Sequence, residues 1–159
     1  MVFEYMKPGE EIKVANLIWR VFEEFEAPCY KQEGIDEFKT FISPENIKVN
    51  CGTGRFFFIC CKDNDEIVGV ISGRDNSHIS LLFVEKAYQR MGIARNLFEL
   101  AIKKCRETCP DLQAITVNSS LYAVGIYEKM GFERTDLEKE KNGIRFIPMK
   151  FLLILKDTV

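Results

Sequence analysis

Between residues 55 and 85 three strand-like runs follow one another with almost nothing between them: RFFFICCK (55–62), EIVGVISGR (66–74) and HISLLFVE (78–85). β-Branched and aromatic residues crowd all three, as pleated, half-buried chain favours. Asp63-Asn64-Asp65 separates the first two and Asp75-Asn76-Ser77 the last two, and both read as hairpin turns. Consecutive strands joined so tightly must pair antiparallel. After the third run the periodicity changes. From Gly92 to about Thr108, Leu97, Ala101 and Cys105 recur four apart, with Phe98 and Ile102 beside them. Cys109-Pro110-Asp111 ends this helix, and QAITVN (113–118) follows as a short strand. Strand, helix and strand make a crossover, so the strands at 78–85 and 113–118 are expected to run parallel.

The flanks complete the architecture. VFEYM (2–6) reads as a first strand ended by Pro8 and Gly9. Ile12, Ala15, Ile18, Trp19, Phe22 and Phe25 form one apolar stripe over 10–25, closed by Ala27-Pro28. Trp19 belongs to that stripe and is given no ligand role. A second stripe, Ile35, Phe38, Phe41 and Ile42, covers 34–42 and is closed by Ser43-Pro44. A short helix is predicted over 121–130, then a hairpin of FERTDLE and IRFIPMKFLLIL about Asn142-Gly143. The order is βαα-βββ-α-β-α-ββ without a linker. It predicts a single domain over 1–159: an α/β fold with a mixed, mostly antiparallel sheet of six to seven strands and helices on both faces.

The chain has 159 residues, 47% of them apolar and 29% charged, with a net charge of −2. Such a balance supports a packed core and offers no basic field for nucleic acid. Residues 1–10 lack the apolar region of a signal peptide, and no run reaches membrane-span length. A soluble, cytoplasmic protein with no membrane partner is expected. Six cysteines are scattered without regular spacing, which fits small hydrophobes in a reducing compartment. Cys105 and Cys109 could form half a metal site, but with one histidine and no second cysteine pair no metal is predicted.

The helix mouth at YQRMGIARNLF (88–98) is chemically unusual. Gly92 stands where Ser or Asp would cap the helix better, Ala94 is small, and Gln89 and Arg90 precede them. A helix N-terminus presents free N–H groups and about half a positive charge. An anion such as pyrophosphate can be held there, with Arg90 or Arg95 adding charge. The simpler reading is a tight turn whose glycine adopts positive φ.

Gln89-x-x-Gly92-x-Ala94 after a strand, with NSSLYAVGIYEKMGF (118–132) one crossover later, resembles the GCN5-related N-acetyltransferase (GNAT) family. The residues carrying the resemblance are Gln89, Gly92, Ala94, Asn118, Tyr127, Gly131 and Phe132, and the element order matches nearly end to end. The resemblance implies an acyl-CoA N-acyltransferase fold in which the fourth and fifth strands splay apart. It implies acetyl-CoA as acyl donor. The turn Gln89, Arg90, Met91, Gly92, Ile93, Ala94 and Arg95 would hold the pyrophosphate, and the backbone of Leu82, Phe83 and Val84 the pantetheine arm. An N–H near Phe83 would polarise the thioester carbonyl, and Asn118 would hold the arm from the other side, unless it only caps the next helix.

Tyr127 matches the family's general acid, and a phenol can protonate a departing thiolate. Its other reading is a half-buried core tyrosine. Tyr122 is a weaker candidate facing the acceptor. His78 begins the cofactor strand and can serve as general base near neutral pH; it can equally cap the hairpin, and many relatives use a water chain. Glu23, Glu24 and Glu26 can attract a cationic amine or simply form a solvated helix face.

The expected reaction is direct acetyl transfer to a primary amine of a small molecule or peptide, with no covalent enzyme intermediate. A non-catalytic acyl-CoA sensor and transfer of a longer acyl chain are the alternatives. Exposed strand edges and the run FLLIL suggest a homodimer, unless that run is an interior strand.

Overall fold

The computed structural model describes residues 1–153. Its main elements are β1 (Val2–Tyr5), α1 (Glu11–Phe25), α2 (Gln32–Phe41), α3 (Pro44–Gly52), β2 (Phe56–Asp63), β3 (Glu66–Arg74), β4 (His78–Val84), α4 (Ile93–Thr108), β5 (Ala114–Ser119), α5 (Val124–Met130), β6 (Glu133–Arg134), β7 (Lys139–Lys141) and β8 (Ile144–Leu152). The strands form one sheet in the order β1-β2-β3-β4-β5-β8-β6, with β7 pairing β8. Every pairing is antiparallel except β4 with β5.

Both two-residue turns behave as their sequences require. Asn64 and Asp65 take φ of 49° and 68°, and Asn142 and Gly143 take 53° and 80°. Positive φ at both central positions matches the twist of the flanking strands. The sheet separates two apolar clusters. Helix α1 packs Val14, Leu17, Ile18 and Phe22 on one face, where Phe22 stacks on Phe38 at 4.1 Å between centroids. Helices α4 and α5 pack Leu97, Phe98, Ala101, Val124 and Met130 on the other. Cys60 and Cys61, adjacent on β2 and both 0% exposed, enter opposite clusters, as strand alternation demands.

Three boundaries differ from the sequence reading. Ser43-Pro44 does not merely stop α2; it starts α3. The Ser43 hydroxyl accepts the Asn46 N–H at 3.3 Å and Pro44 occupies the first turn, where its missing N–H costs nothing. Helix α5 starts at Val124 rather than 121, because Ser120 Oγ accepts the Ala123 N–H and holds the preceding residues in a turn. FERTDLE is not one strand: only Glu133 and Arg134 of it form a strand, β6, and β7 starts just after it, so the described residues form eight strands. The run FLLIL begins on β8, an interior strand between β5 and β6; residues 154 and 155 of the predicted strand lie outside the described residues.

Candidate active site

The parallel pair barely forms. Only His78↔Thr116 and Ile79↔Val117 are in register, and past them β4 and β5 diverge. A bulge lies at the point of divergence. Ser72 opposes Leu81 while Gly73 opposes Ile79, which leaves Ser80 without a partner on β3. A bulge bends its strand and reverses the facing of the residues beyond it. Ile79 accordingly packs on the α4 side, whereas Leu81 and Phe83 pack on the α1 side. Glu85 N–H donates to the Val68 carbonyl at 2.8 Å. Counting back along an antiparallel ladder, Phe83 spends its backbone groups on β3, and Leu82 and Val84 turn theirs toward the gap. The free donors are therefore the neighbours of Phe83. The Val84 carbonyl is already engaged, since Gln89 Nε2 donates to it at 3.1 Å; the motif glutamine thus ties the turn to the end of β4.

At the head of α4, Gly92 is the N-cap with φ +80° and no side-chain cap. A Cβ built on it would meet nothing within 4 Å. Arg90 also takes positive φ, 64°. Ile93, 2% exposed, anchors the first turn in the core, while Arg90, Met91 and Gly92 stand in solvent. Ala94 is partly buried, and exposed Arg95 reaches the Lys129 carbonyl at 3.4 Å. The simpler reading of Gly92 holds, since the turn takes positive φ, and the helix end is left open.

Two cavities flank the gap. The larger, about 420 Å³, runs from the Gln89–Arg95 turn to Tyr122 and Tyr127. The smaller, about 280 Å³, lies under α2 and is lined by Tyr30, Phe38, Phe41, His78, Ser80 and Asn118 among others. Both are lined by Glu26, Leu82, Phe83, Ala123 and Tyr127. Tyr127 is 7% exposed, and burial, then the charge of Glu26, push its phenol pKa upward. The phenol therefore keeps its proton at neutral pH.

Glu26 is the residue that sequence reasoning undervalued. It ends α1 and its carboxyl turns inward, where burial raises its pKa to about 7 against a hydrogen bond from Ser120. Its companions face outward: Glu23 and Glu24 are exposed, and Glu24 pairs with Lys86 at 2.9 Å. The signal was present, because Glu26 lies four residues beyond Phe22 on the buried face of α1.

His78 lies at the β4–β5 junction, with Nδ1 2.8 Å from Thr116 Oγ1. Burial, reinforced by Arg74, lowers its pKa to about 4. It is neutral at physiological pH but a weak base. Asn118 does not cap α5, whose N-cap Ala123 has no side-chain cap bond; it lines the smaller cavity. Tyr122 stacks on Phe25 at 5.3 Å and lines only the larger cavity. Among the described residues no group of three or more His, Cys, Asp or Glu gathers as a metal site, and no helix is long and apolar enough to cross a membrane.

Known proteins share this frame. A GCN5-related N-acetyltransferase from Rhodopseudomonas palustris superposes with a TM-score of 0.77, at 17% identity, over 96% of this chain and 95% of that one. The PaiA N-acetyltransferase of Thermoplasma acidophilum, solved with coenzyme A, gives 0.74 at 18% identity over 96% and 100%. At such identities the likeness is one of fold. N-alpha-acetyltransferase 30 of Dictyostelium discoideum is 29% identical over 79 residues, 45% of this chain. The match spans only 43% of that relative's length. Residues 26–153 match the acetyltransferase (GNAT) domain model, and with most of its length inside that match the chain belongs to the GNAT family.

Proposed function

We propose that this chain transfers an acetyl group from acetyl-CoA directly to a primary amine of a small molecule or peptide. The observation that carries this reading is the meeting of two cavities at Glu26 and Tyr127. The larger cavity, with the uncapped helix mouth at one end, suits the donor. The smaller suits the acceptor. A thioester and an amine entering from opposite sides would react at their shared wall.

The residues of the wall supply what the reaction needs. The Gln89–Arg95 turn would take the pyrophosphate on free N–H groups, with Arg90 adding charge. The arm would lie along Leu82–Val84, with Asn118 opposite. A backbone N–H from Leu82 or Val84 would meet the oxyanion. An acceptor ammonium, with pKa near ~10, must lose a proton before its nitrogen attacks the thioester carbon. Glu26 is placed for that step, since a carboxylate near neutrality is a far better acceptor than an imidazole near 4. As the C–S bond breaks, the Tyr127 hydroxyl gives its proton to sulfur and regains one from the nitrogen, which sheds its second proton to become the amide. His78 then ties β4 to Thr116 where the two strands part rather than serving as the base.

The test is mass spectrometry of an amine panel of polyamines, aminoglycosides, amino acids and peptides, incubated with acetyl-CoA and protein. A mass gain of one acetyl group on one class establishes the enzyme. Tyr127→Phe should then cut turnover about 10²-fold with acetyl-CoA affinity kept. A sensor would bind acetyl-CoA, give no product and be indifferent to Tyr127→Phe.

A further inference from the structure

The lining of the smaller cavity contains one carboxylate and one permanent cation, Glu26 and Arg74. They belong to opposite ends. Arg74 is in register with His78, and His78 with Thr116, where the gap begins. Glu26 is bonded by Ser120, four residues farther along the chain from Thr116. At ~3.3 Å per strand residue, the levels of Thr116 and Ser120 on the chain lie roughly 13 Å apart. The rings of Phe38, Phe41 and Phe83 line the same cavity.

The Arg74 end is under-used. Its Nε is shielded from solvent yet has no hydrogen-bond partner among the described residues. The nearest acid oxygen, Asp75 Oδ2, is 3.5 Å away, and both Asp75 oxygens are already taken by Arg55 at 2.8 and 3.2 Å. Two guanidiniums thus share one carboxylate, which leaves this end positive, because His78 is neutral beside them. Ser80, the bulged residue, also lines the cavity, with a buried hydroxyl that has no partner among the described residues. A guanidinium level with His78 and an idle hydroxyl two residues farther along β4 are what a carboxylate would satisfy.

We infer that the acceptor is an amine that carries a carboxylate at its far end, the carboxylate on Arg74 and Ser80 and the amine at Glu26. This rests on the acetyltransferase reading and narrows its substrate class. An α-amino acid, whose two groups are adjacent, cannot reach both ends. A straight-chain ω-amino acid or a short peptide with a free C-terminus can. A polyamine places its second cation against Arg74.

The test compares kcat/KM for ω-amino acids, n-alkylamines and α,ω-diamines of matched chain length, and for short peptides against their C-terminal amides. The expected order is amino acid, alkylamine, diamine, with tenfold or more between first and second and peptides ahead of their amides. Which of the two carboxylate series wins names the source. Arg74→Gln should collapse the amino acid to alkylamine ratio toward one, with a thermal melt confirming that the variant is folded. A diamine or alkylamine equal to the amino acid, or a ratio unmoved by Arg74→Gln, overturns the inference and leaves the acetyltransferase reading standing. No product from any amine despite acetyl-CoA binding overturns both.

Discussion

Gly34 and Gly143 meet backbone to backbone: a Cβ built on Gly34 would drive into the Gly143 carbonyl oxygen, and one built on Gly143 would lie 2.6 Å from the Gly34 nitrogen. Gly34 is in the first turn of α2 and Gly143 closes the β7–β8 turn. The contact docks the hairpin on the helix and places Ile144 in the wall of the smaller cavity. Helix propensity alone predicts that Gly34→Ala stabilises the chain by about 1 kcal/mol. The structure reverses that sign, since overpacking costs ~1–3 kcal/mol. Urea unfolding should show the loss, and KM for the amine should rise more than KM for acetyl-CoA. A higher midpoint would mean that the hairpin is free to swing off α2.

Gly92 separates two effects that one substitution would merge. At φ +80° any side chain is strained, at a cost of ~1–2 kcal/mol, yet a Cβ there meets nothing. Gly92→Ala and Gly92→Glu should therefore lose similar stability, the acid even recovering a little from the helix dipole. Calorimetry should nonetheless show acetyl-CoA bound at least tenfold more weakly by the Glu variant, because its carboxylate stands where a phosphate would. Equal affinities would remove the pyrophosphate from this turn.

Much of this was legible in the sequence, and the remainder has a physical pattern. The three tight strands, the crossover and the hairpin at Asn142-Gly143 are set by local turn chemistry and periodicity, which sequence carries directly. The bulge at Ser80 is not local: it appears only when β4 is laid against β3, and it decides that Leu82 and Val84, rather than Phe83, face the gap. Ser43-Pro44 carries both a stop and a start, and periodicity reveals only the stop. In the proposed reaction Glu26 and His78 exchange roles for one reason. Burial moves a carboxyl up toward neutrality and an imidazole down away from it, and burial is a property of the fold.

That exchange has a kinetic signature. With Glu26 near 7, kcat/KM should rise with pH through that value, then continue upward with the amine's own ionisation. Glu26→Gln should lose the first rise and about 10²-fold in rate at neutral pH. It should also gain stability. A carboxyl raised in the folded state contributes fully below its unfolded value of 4.5, and the contribution is lost as pH climbs through 7. Above pH 7 the variant should be more stable by roughly 1–3 kcal/mol. A less stable variant would mean that the carboxylate is held by partners it does not show.

His78 gives the opposite sign on the acid side. Its pKa falls from 6.5 to about 4 on folding, through burial first and Arg74 second. Between those values the unfolded chain binds a proton that the folded chain refuses, so stability drops as pH falls through that window. The shift corresponds to at most ~3 kcal/mol. His78→Gln keeps a polar side chain beside Thr116 but cannot titrate. Urea midpoints measured at pH 7 and again near pH 4.5 should fall further for the native chain than for the variant. Parallel falls would show that His78 is charged in the folded protein, and the base role would return to it.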